Sequence, residues 1–410
     1  MASPAVNGVA ALAARALAGL EGEGQALAVT QDGVTTVTVT AVQGGRAASA
    51  LAADVSDDAL ARAARAATLH ARRPRALPAP PLPLPSPATA RADAAAAMGA
   101  PAPAPPPVPA GFMLDLASIT ADVAVASTAG IEVEERRSQV VARVTARRDD
   151  RAAAVTLAGA GPVDVDDAVA ELRALLGEGV AAGPFAPHVP PGRAAAVADE
   201  DLGRLVLGPE AVAVVLEALR PAFGVDAALG GPAPNPVAGT VTLTDDAAHP
   251  DTLPRAYDAE GVARAHVTLI DRGTAVGRVH DAASAHRAGA ASTGHATRPL
   301  TLAPLPENLL LDPGAAPDVQ ALVEEVAHGL FVPALTPGRE TAGAARIVRG
   351  RLTAAVSPTR LELDPVAILA AADELTAARR LVALRGHCPG GRGAATVPAL
   401  RTAGGIRRAR

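Results

Sequence analysis

Residues 204–222 read RLVLGPEAVAVVLEALRPA. Arg204–Leu207 is a short apolar run ending at glycine, the length of a buried strand. Pro209 then stands where a helix best tolerates proline, at its first position, and apolar residues recur on each turn to Ala222. A strand feeding a helix, flanked by β-branched runs punctuated with turn residues, sets the fold class as α+β. Downstream, RAHVTLIDRGTAVGRV (264–279) places two apolar runs about Asp271-Arg272-Gly273, a hairpin signal. VTLTDD, ARIVRGRLTAAV and TRLELD add strands, and helices are expected at 318–329 and 365–383.

Working upstream, 9–20 has helical periodicity, and 26–42 (ALAVTQDGVTTVTVTAV) alternates about Asp32-Gly33 as a hairpin should. Ser56 or Asp57 caps a helix running to Ala71. Thirteen prolines fall in 74–109, interrupted by an Ala-rich, helix-like patch at 88–98. Proline at this density removes backbone donors and fixes φ, so an extended surface strap is expected. DVAVAST, GIEVEERR, SQVVARVTARR and AAAVTLAG then read as an antiparallel meander over 111–157. Val163–Gly177 is a helix with Asp164, Asp166 and Asp167 at its start. The Pro/Gly-rich segment 183–193 marks the boundary between an N-terminal domain, 1–183, and a β-rich one, 184–410.

The composition narrows the function. With no Trp, one Tyr and four Phe, the core must be built from Ala, Val and Leu. Burial stabilises by roughly 25 cal/mol per Å² and alanine offers little area, so thin cores and a stabilising partner are expected. All 37 basic residues are arginine, in keeping with a GC-rich coding sequence, and the net charge of −5 argues against a dedicated nucleic-acid binder. The single cysteine, Cys388, excludes an internal disulfide and a Cys-rich zinc module. No run of 18 apolar residues exists, so no membrane helix and a cytoplasmic location are expected.

Between 204 and 335 several motifs occur in a fixed order. Asp258, Glu260 and Gly261 follow TLTDDAAHPDTLPRAY; next comes STGHATRP with Ser292, Thr293, Gly294, Ala296 and Arg298. PLPENLLLDPG follows, with Asn308, Leu309, Leu311, Pro313 and Gly314, then HGLFVPAL with Gly329, Leu330 and Val332. This succession resembles the TldD/PmbA family and, within it, the TldE (PmbA) branch; GRGAATVPALRTAGG resembles the family's closing strand. The resemblance implies an N-terminal α/β domain with an antiparallel sheet, followed by a β-rich, barrel-like C-terminal domain. It also implies a heterodimer in which a TldD-like partner binds zinc through an H-E-x-x-x-H helix, enclosing a cavity where extended or leader-bearing peptides are cut. On the same ground Asp258, Glu260, Gly261, Ser292, Thr293, Gly294, Arg298 and Asn308 are expected at the peptide groove or the interface.

Zinc needs lone pairs converging at about 2.0–2.3 Å, which a helical histidine pair one turn apart supplies. Helix 209–222 takes the place of that motif yet holds no histidine, and none lies between His188 and His249. No metal site and no catalytic residue are therefore expected in this chain, with zinc in the partner. Other ligand sets are weaker: His280, Asp281 and His286 point apart on a helix, and Glu324 with His328 reads as a surface pair in a last helical turn. Cys388, beside His387 in a Gly/Pro loop, resembles a remnant of the catalytic branch's metal site. Ser292 and Thr293 near His295 suggest a nucleophile, but no elbow surrounds them and a turn explains the hydroxyls. Two other functions stay open: a stand-alone hydrolase using Cys388 or a hidden metal, and a peptide-binding or regulatory module without a peptidase partner.

Overall fold

The computed structural model describes residues 6–84, 107–231, 233–234, 237–300, 304–336, 338–388 and 391–409. The strap's centre and the Ala-rich patch at 88–98 thus lie outside the described residues. Helix α1 (Val6–Ala18) leads into β1 (Glu23–Gln31), β2 (Val34–Gln43) and β3 (Arg46–Leu51), then α2 (Asp57–Ala71). Ser56 caps α2, its hydroxyl accepting from the Ala59 amide at 3.2 Å. Leu77–Pro78 forms β4 on the edge of β3, where a proline's missing donor costs nothing. The meander follows as β5 (Phe112–Ser127), β6 (Glu132–Arg148) and β7 (Arg151–Gly159). These seven strands make one antiparallel sheet in the order β4-β3-β2-β1-β5-β6-β7. Helix α3 (Val165–Leu176) runs from an Asp164 cap to left-handed Gly177.

The second half builds a larger, mixed sheet. Its strands are β8 (Leu205–Leu207), β9 (Leu243–Asp245), β10 (Val267–Asp271), β11 (Thr274–Ala275) and β12 (Asn308–Leu311). β13 (His328–Val332), β16 (Ala345–Val348), β17 (Arg351–Ala355), β19 (Ala372–Cys388) and β20 (Gly391–Thr402) complete it. The order is β11-β10-β9-β12-β20-β8-β13-β16-β17, with β19 alongside β20. β11 and β17 end the path unjoined, so the sheet is open and the barrel-like expectation is corrected: no closed barrel forms among the described residues. Two small pairs lie apart, β14 (Ala334–Leu335) with β15 (Thr341–Ala342), and β18 (Leu361–Leu363) with β21 (Ile406–Arg408). Helix α4 (Pro209–Phe223) packs on β19 and β20. Shorter helices follow: a single turn at Val225–Ala228, then α5 (Ala282–Ala288), α6 (Val319–Glu324) and α7 (Pro365–Ala370).

Two expected helices are shorter than their periodicity suggested. The 365–383 reading holds only for α7; from Ala372 the chain is strand β19, paired antiparallel with β20. Ala, Leu and Arg favour helices by only tenths of a kcal/mol each, and pairing along a twelve-residue strand overrides that. Within β19, burial alternates from Leu381 to Arg385, as a strand requires. The 318–329 reading likewise ends at Glu324, and His328 opens β13 instead of closing a helix. His387 and Cys388, read as loop, are the last residues of β19, with their backbones opposite Arg392 and Gly391.

Two cores tie the halves together. Ala142, Val144, Val155 and Leu172 pack with Val206, Leu322, Phe331 and Ile347. Leu27, Val123 and Val125 of the first sheet, with Ile131 in the turn before β6, pack against Ala259 and Ala296 of the second half. That second contact seats the loops that carry the sequence's motifs.

Candidate functional site

Asp245 ends β9 and is wholly buried. One carboxylate oxygen takes Arg264 at 3.1 Å and His295 Nε2 at 2.9 Å; the other accepts the amides of Glu307 and Asn308 at 2.6 and 2.9 Å. Burial would raise its pKa, but His295 and Arg264 outweigh burial and hold the carboxyl well below the usual range. Arg264 also reaches Glu307 at 3.0 Å, and Arg255 meets the same Glu307 oxygen at 3.0 Å. Beyond it, Glu135 of β6 pairs with Arg137 and accepts the Ala256 amide at 2.7 Å. Charged side chains of both sheets thus meet beneath one set of loops, each compensated by a neighbour, which such burial demands.

The motif residues serve those loops. Asp258 accepts the amides of Glu260, Val262 and Ala296, each at 2.9 Å. Glu260 accepts from Ala282 at 2.9 Å and Leu300 at 3.0 Å. Burial pushes the Asp258 carboxyl up to about 6 against those bonds; burial and then the charge of Asp258 push Glu260 up as well. Gly261, at φ +74°, lies where a Cβ would stand 2.6 Å from Ile131. At Gly294, φ +71°, a Cβ would meet the Ala263 carbonyl at 2.3 Å. Only glycine fits either place. Asn308 donates to the Leu253 carbonyl at 2.5 Å. Of the eight residues expected at a groove or interface, Asp258, Glu260, Gly261, Gly294 and Asn308 are buried and shape the loops from within; Ser292 and Thr293 are half-buried and Arg298 is exposed.

Ser292 donates to the His280 carbonyl at 3.2 Å and accepts the Gly294 amide at 3.2 Å, as a turn hydroxyl does. Thr293 Oγ1 accepts the His280 amide at 2.7 Å and lies 2.9 Å from His295 Nδ1. The hydroxyl, ring and Asp245 are in the order of a nucleophilic relay. Yet no part of His295 reaches solvent, and burial with Arg264 beside it lowers its pKa. The relay is an internal strut.

A cavity of ≈200 Å³ lies between the two sheets, walled by Arg143 of β6, Thr156 of β7, and Glu210, Ala213, Val214 and Glu217 of α4. Arg385 and Arg392 close it from β19 and β20. Residues 210, 213, 214 and 217 are one face of a helix. Both glutamates on it are already engaged. Glu210 accepts from Arg380 at 3.0 Å and from the Thr156 amide at 3.2 Å; Glu217 accepts the Arg385 amide at 2.7 Å. Arg380 also pairs with Glu171, its guanidinium 4.7 Å above the Phe185 ring, and burial raises Glu171 to about 7 despite that arginine. A zinc ion does not fit this wall: between two arginine-held carboxylates the helix presents alanine and valine.

The other proposed ligand sets are dispersed. Asp281 caps α5 through the Ser284 amide at 2.7 Å, His280 meets Ser284 Oγ at 3.2 Å, and His286 is exposed. His328 lies 3.1 Å from Asp201, replacing the expected pairing with Glu324. Among the described residues no three His, Cys, Asp or Glu side chains are grouped to hold a metal.

The sequence profile of the PmbA/TldA metallopeptidase C-terminal domain matches residues 203–404. The chain belongs to the PmbA/TldD family. TldE from Thermococcus kodakarensis shares the fold, with TM-score 0.63, 15% identity and 94% of each chain covered. A proposed modulator of DNA gyrase from Thermotoga maritima also superposes at TM-score 0.63, with 12% identity and 94% of each chain covered. A protein from Bacteroides thetaiotaomicron described in the same way gives 0.61, with 14% identity, 98% of this chain and 100% of that one. No curated protein matches the sequence. The family match spans α4 and the ordered motifs between Asp258 and Val332. It also contains the charges that motif reading passed over: Asp245, Arg255, Arg264, His295 and Glu307. Their signal was in the sequence, since charged residues set among apolar strand positions at 243–245 and 307–311 had to find partners inside.

Proposed function

We propose that this PmbA/TldD-family chain is the non-catalytic, TldE-like subunit of a zinc metallopeptidase assembly that processes extended or leader-bearing peptides in the cytoplasm. One observation carries the reading: the cavity-facing side of α4 offers Ala213 and Val214 between arginine-held glutamates, where metal hydrolysis needs two imidazoles and a free carboxylate. A zinc-bearing, TldD-like partner would supply the hydrolytic water. In this reading 1–183 and 184–410 act as two domains joined by the shared cores. The loops at 258–261 and 292–298, made rigid by Asp258, Glu260 and the Asp245 cluster, offer Ser292, Thr293 and Arg298 to a groove or to the partner. Extended peptides are held by main-chain hydrogen bonds along strands, and the unjoined edges of β11 and β17 offer such bonds.

The test is co-expression with an H-E-x-x-x-H chain from the same genome. We expect co-purification, zinc in the partner, and cleavage of an extended peptide only by the pair. Stoichiometric zinc in this chain alone, with chelator-sensitive cleavage by it, would sink the reading.

A further inference from the structure

The cavity under α4 offers no metal-ligand set among the described residues, yet its wall is charged. Arg143, Arg385 and Arg392 line it from three strands. The Nε atoms of Arg143 and Arg392 are buried and have no hydrogen-bond partner among the described residues. A buried guanidinium N–H without an acceptor is unfavourable, and native interiors rarely leave one so.

The nearby acids do not answer it. Glu210 is shared between Arg380 and the Thr156 amide, and Glu217 takes the Arg385 amide and stands 4.0 Å from its Nε. Asp115 is opposite Arg143 in the β5–β6 register, on exposed chain, and the two form no ion pair. Burial, with Arg143 and Arg339 nearby, holds Arg385 below its ordinary pKa despite Glu217.

The remaining surface is aliphatic: Val141, Val214, Leu335 and Leu384 face the same space. At ≈200 Å³ the cavity is smaller than the roughly 300–1,000 Å³ of whole-ligand pockets, so it accommodates one end of a ligand. We propose that this cavity binds a carboxylate of a peptide, with Arg143 and Arg392 donating to its oxygens and an adjoining aliphatic side chain lying against α4. The peptide as source rests on the function proposed above; the carboxylate rests on the arginines. Such a carboxylate is either a free C-terminus or an acidic side chain, and both offer the two-oxygen acceptor that suits arginine.

Fluorescence anisotropy with an N-terminally labelled hexapeptide ending in Ala-Leu tests this, on the chain alone and in its complex. Three forms are compared: free acid, C-terminal amide, and amide with glutamate at the penultimate position. We expect the acid to bind at least about tenfold more tightly than the plain amide, a gap of ~1.4 kcal/mol or more. If only the glutamate-bearing amide shows that gain, the acidic side chain is the source. R143Q and R392Q should each remove about tenfold of the gain and leave the plain amide unaffected, with melting curves confirming that both variants fold. Inorganic phosphate should compete weakly. Equal binding of acid and amide forms, no binding by either chain or complex, or affinity unchanged in both variants would overturn the proposal. A chain that prefers carboxylates but joins no zinc-bearing partner refutes the assembly reading alone; a complex that cleaves peptides without such preference refutes the carboxylate site alone.

Discussion

Replacing Arg264 with methionine tests the claim that buried charge compensation holds the two sheets' loops together. Arg264 bonds Glu307 at 3.0 Å and Asp245 at 3.1 Å, all three nearly inaccessible to solvent. Removing one partner of a buried ion pair costs ~3–5 kcal/mol because the other charge is left uncompensated. Here the abandoned groups keep other bonds: Asp245 retains His295 and two amides, and Glu307 retains Arg255. The expected cost therefore falls at the low end, about 3 kcal/mol at pH 7.5. Its pH dependence has a definite sign. In the native protein Asp245 titrates below the usual carboxyl range, so its contribution is present above that range and is lost as the pH falls through it. Without Arg264, Asp245 titrates higher and takes up a proton sooner, so the gap between variant and native protein should narrow as the pH falls. With no Trp and one Tyr, urea unfolding is best followed by far-UV circular dichroism. A loss under about 1 kcal/mol at pH 7.5, or a gap that widens as pH falls, would refute the reasoning.

Three further outcomes are expected. G261A should lower stability by about 2 kcal/mol, from a strained positive φ and a Cβ 2.6 Å from Ile131; adding I131A, which removes the clashing methyl, should make the pair less costly than the sum, as read by thermal melts. Asp258 is raised from 3.8 to about 6, so it favours folding below pH 4 and that contribution, about 3 kcal/mol, is lost as pH rises through 6. Urea midpoints of D258N between pH 4 and 7 should show this decline flattened, whatever the mutation costs at fixed pH. D164A should cost about 1 kcal/mol by removing the carboxylate that accepts the Asp166 and Asp167 amides at the start of α3; an unchanged melting temperature would deny the cap a role.

Local chemistry made much of the fold legible. Asp32-Gly33 and Arg272-Gly273 marked hairpins because few residue pairs adopt positive φ in succession, and both turns are where that chemistry put them. Ser56, Asp164 and Pro209 marked helix starts for equally local reasons. What escaped was set by distant partners. Ala372–Arg385 is composed of good helix formers, and only β20, running beside it, makes it a strand. Pro398 sits within β20 where the register with β19 shifts, so even a residue that argues against a central strand is absorbed by an irregularity.

The candidate site divides along the same line. That α4 lacks histidine is readable from nineteen letters, and it decides what the helix cannot do. What the helix faces is not readable, because Arg143, Arg385 and Arg392 are far apart in the chain and meet Glu210 and Glu217 only once β6, β19 and β20 surround the cavity. The same holds for the Asp245 cluster, where Glu135 and Arg137 of the first sheet reach Ala256 and Tyr257 of the second half. Motif order could say that residues 258–261 and 292–298 belong together; it could not say that five of the eight chosen residues act from inside the loops. If so, alanine substitution at Asp258 or Asn308 should show first as lost folding, whereas Arg298, exposed and outside the buried cluster, is the position where a change could alter partner or peptide binding at constant stability.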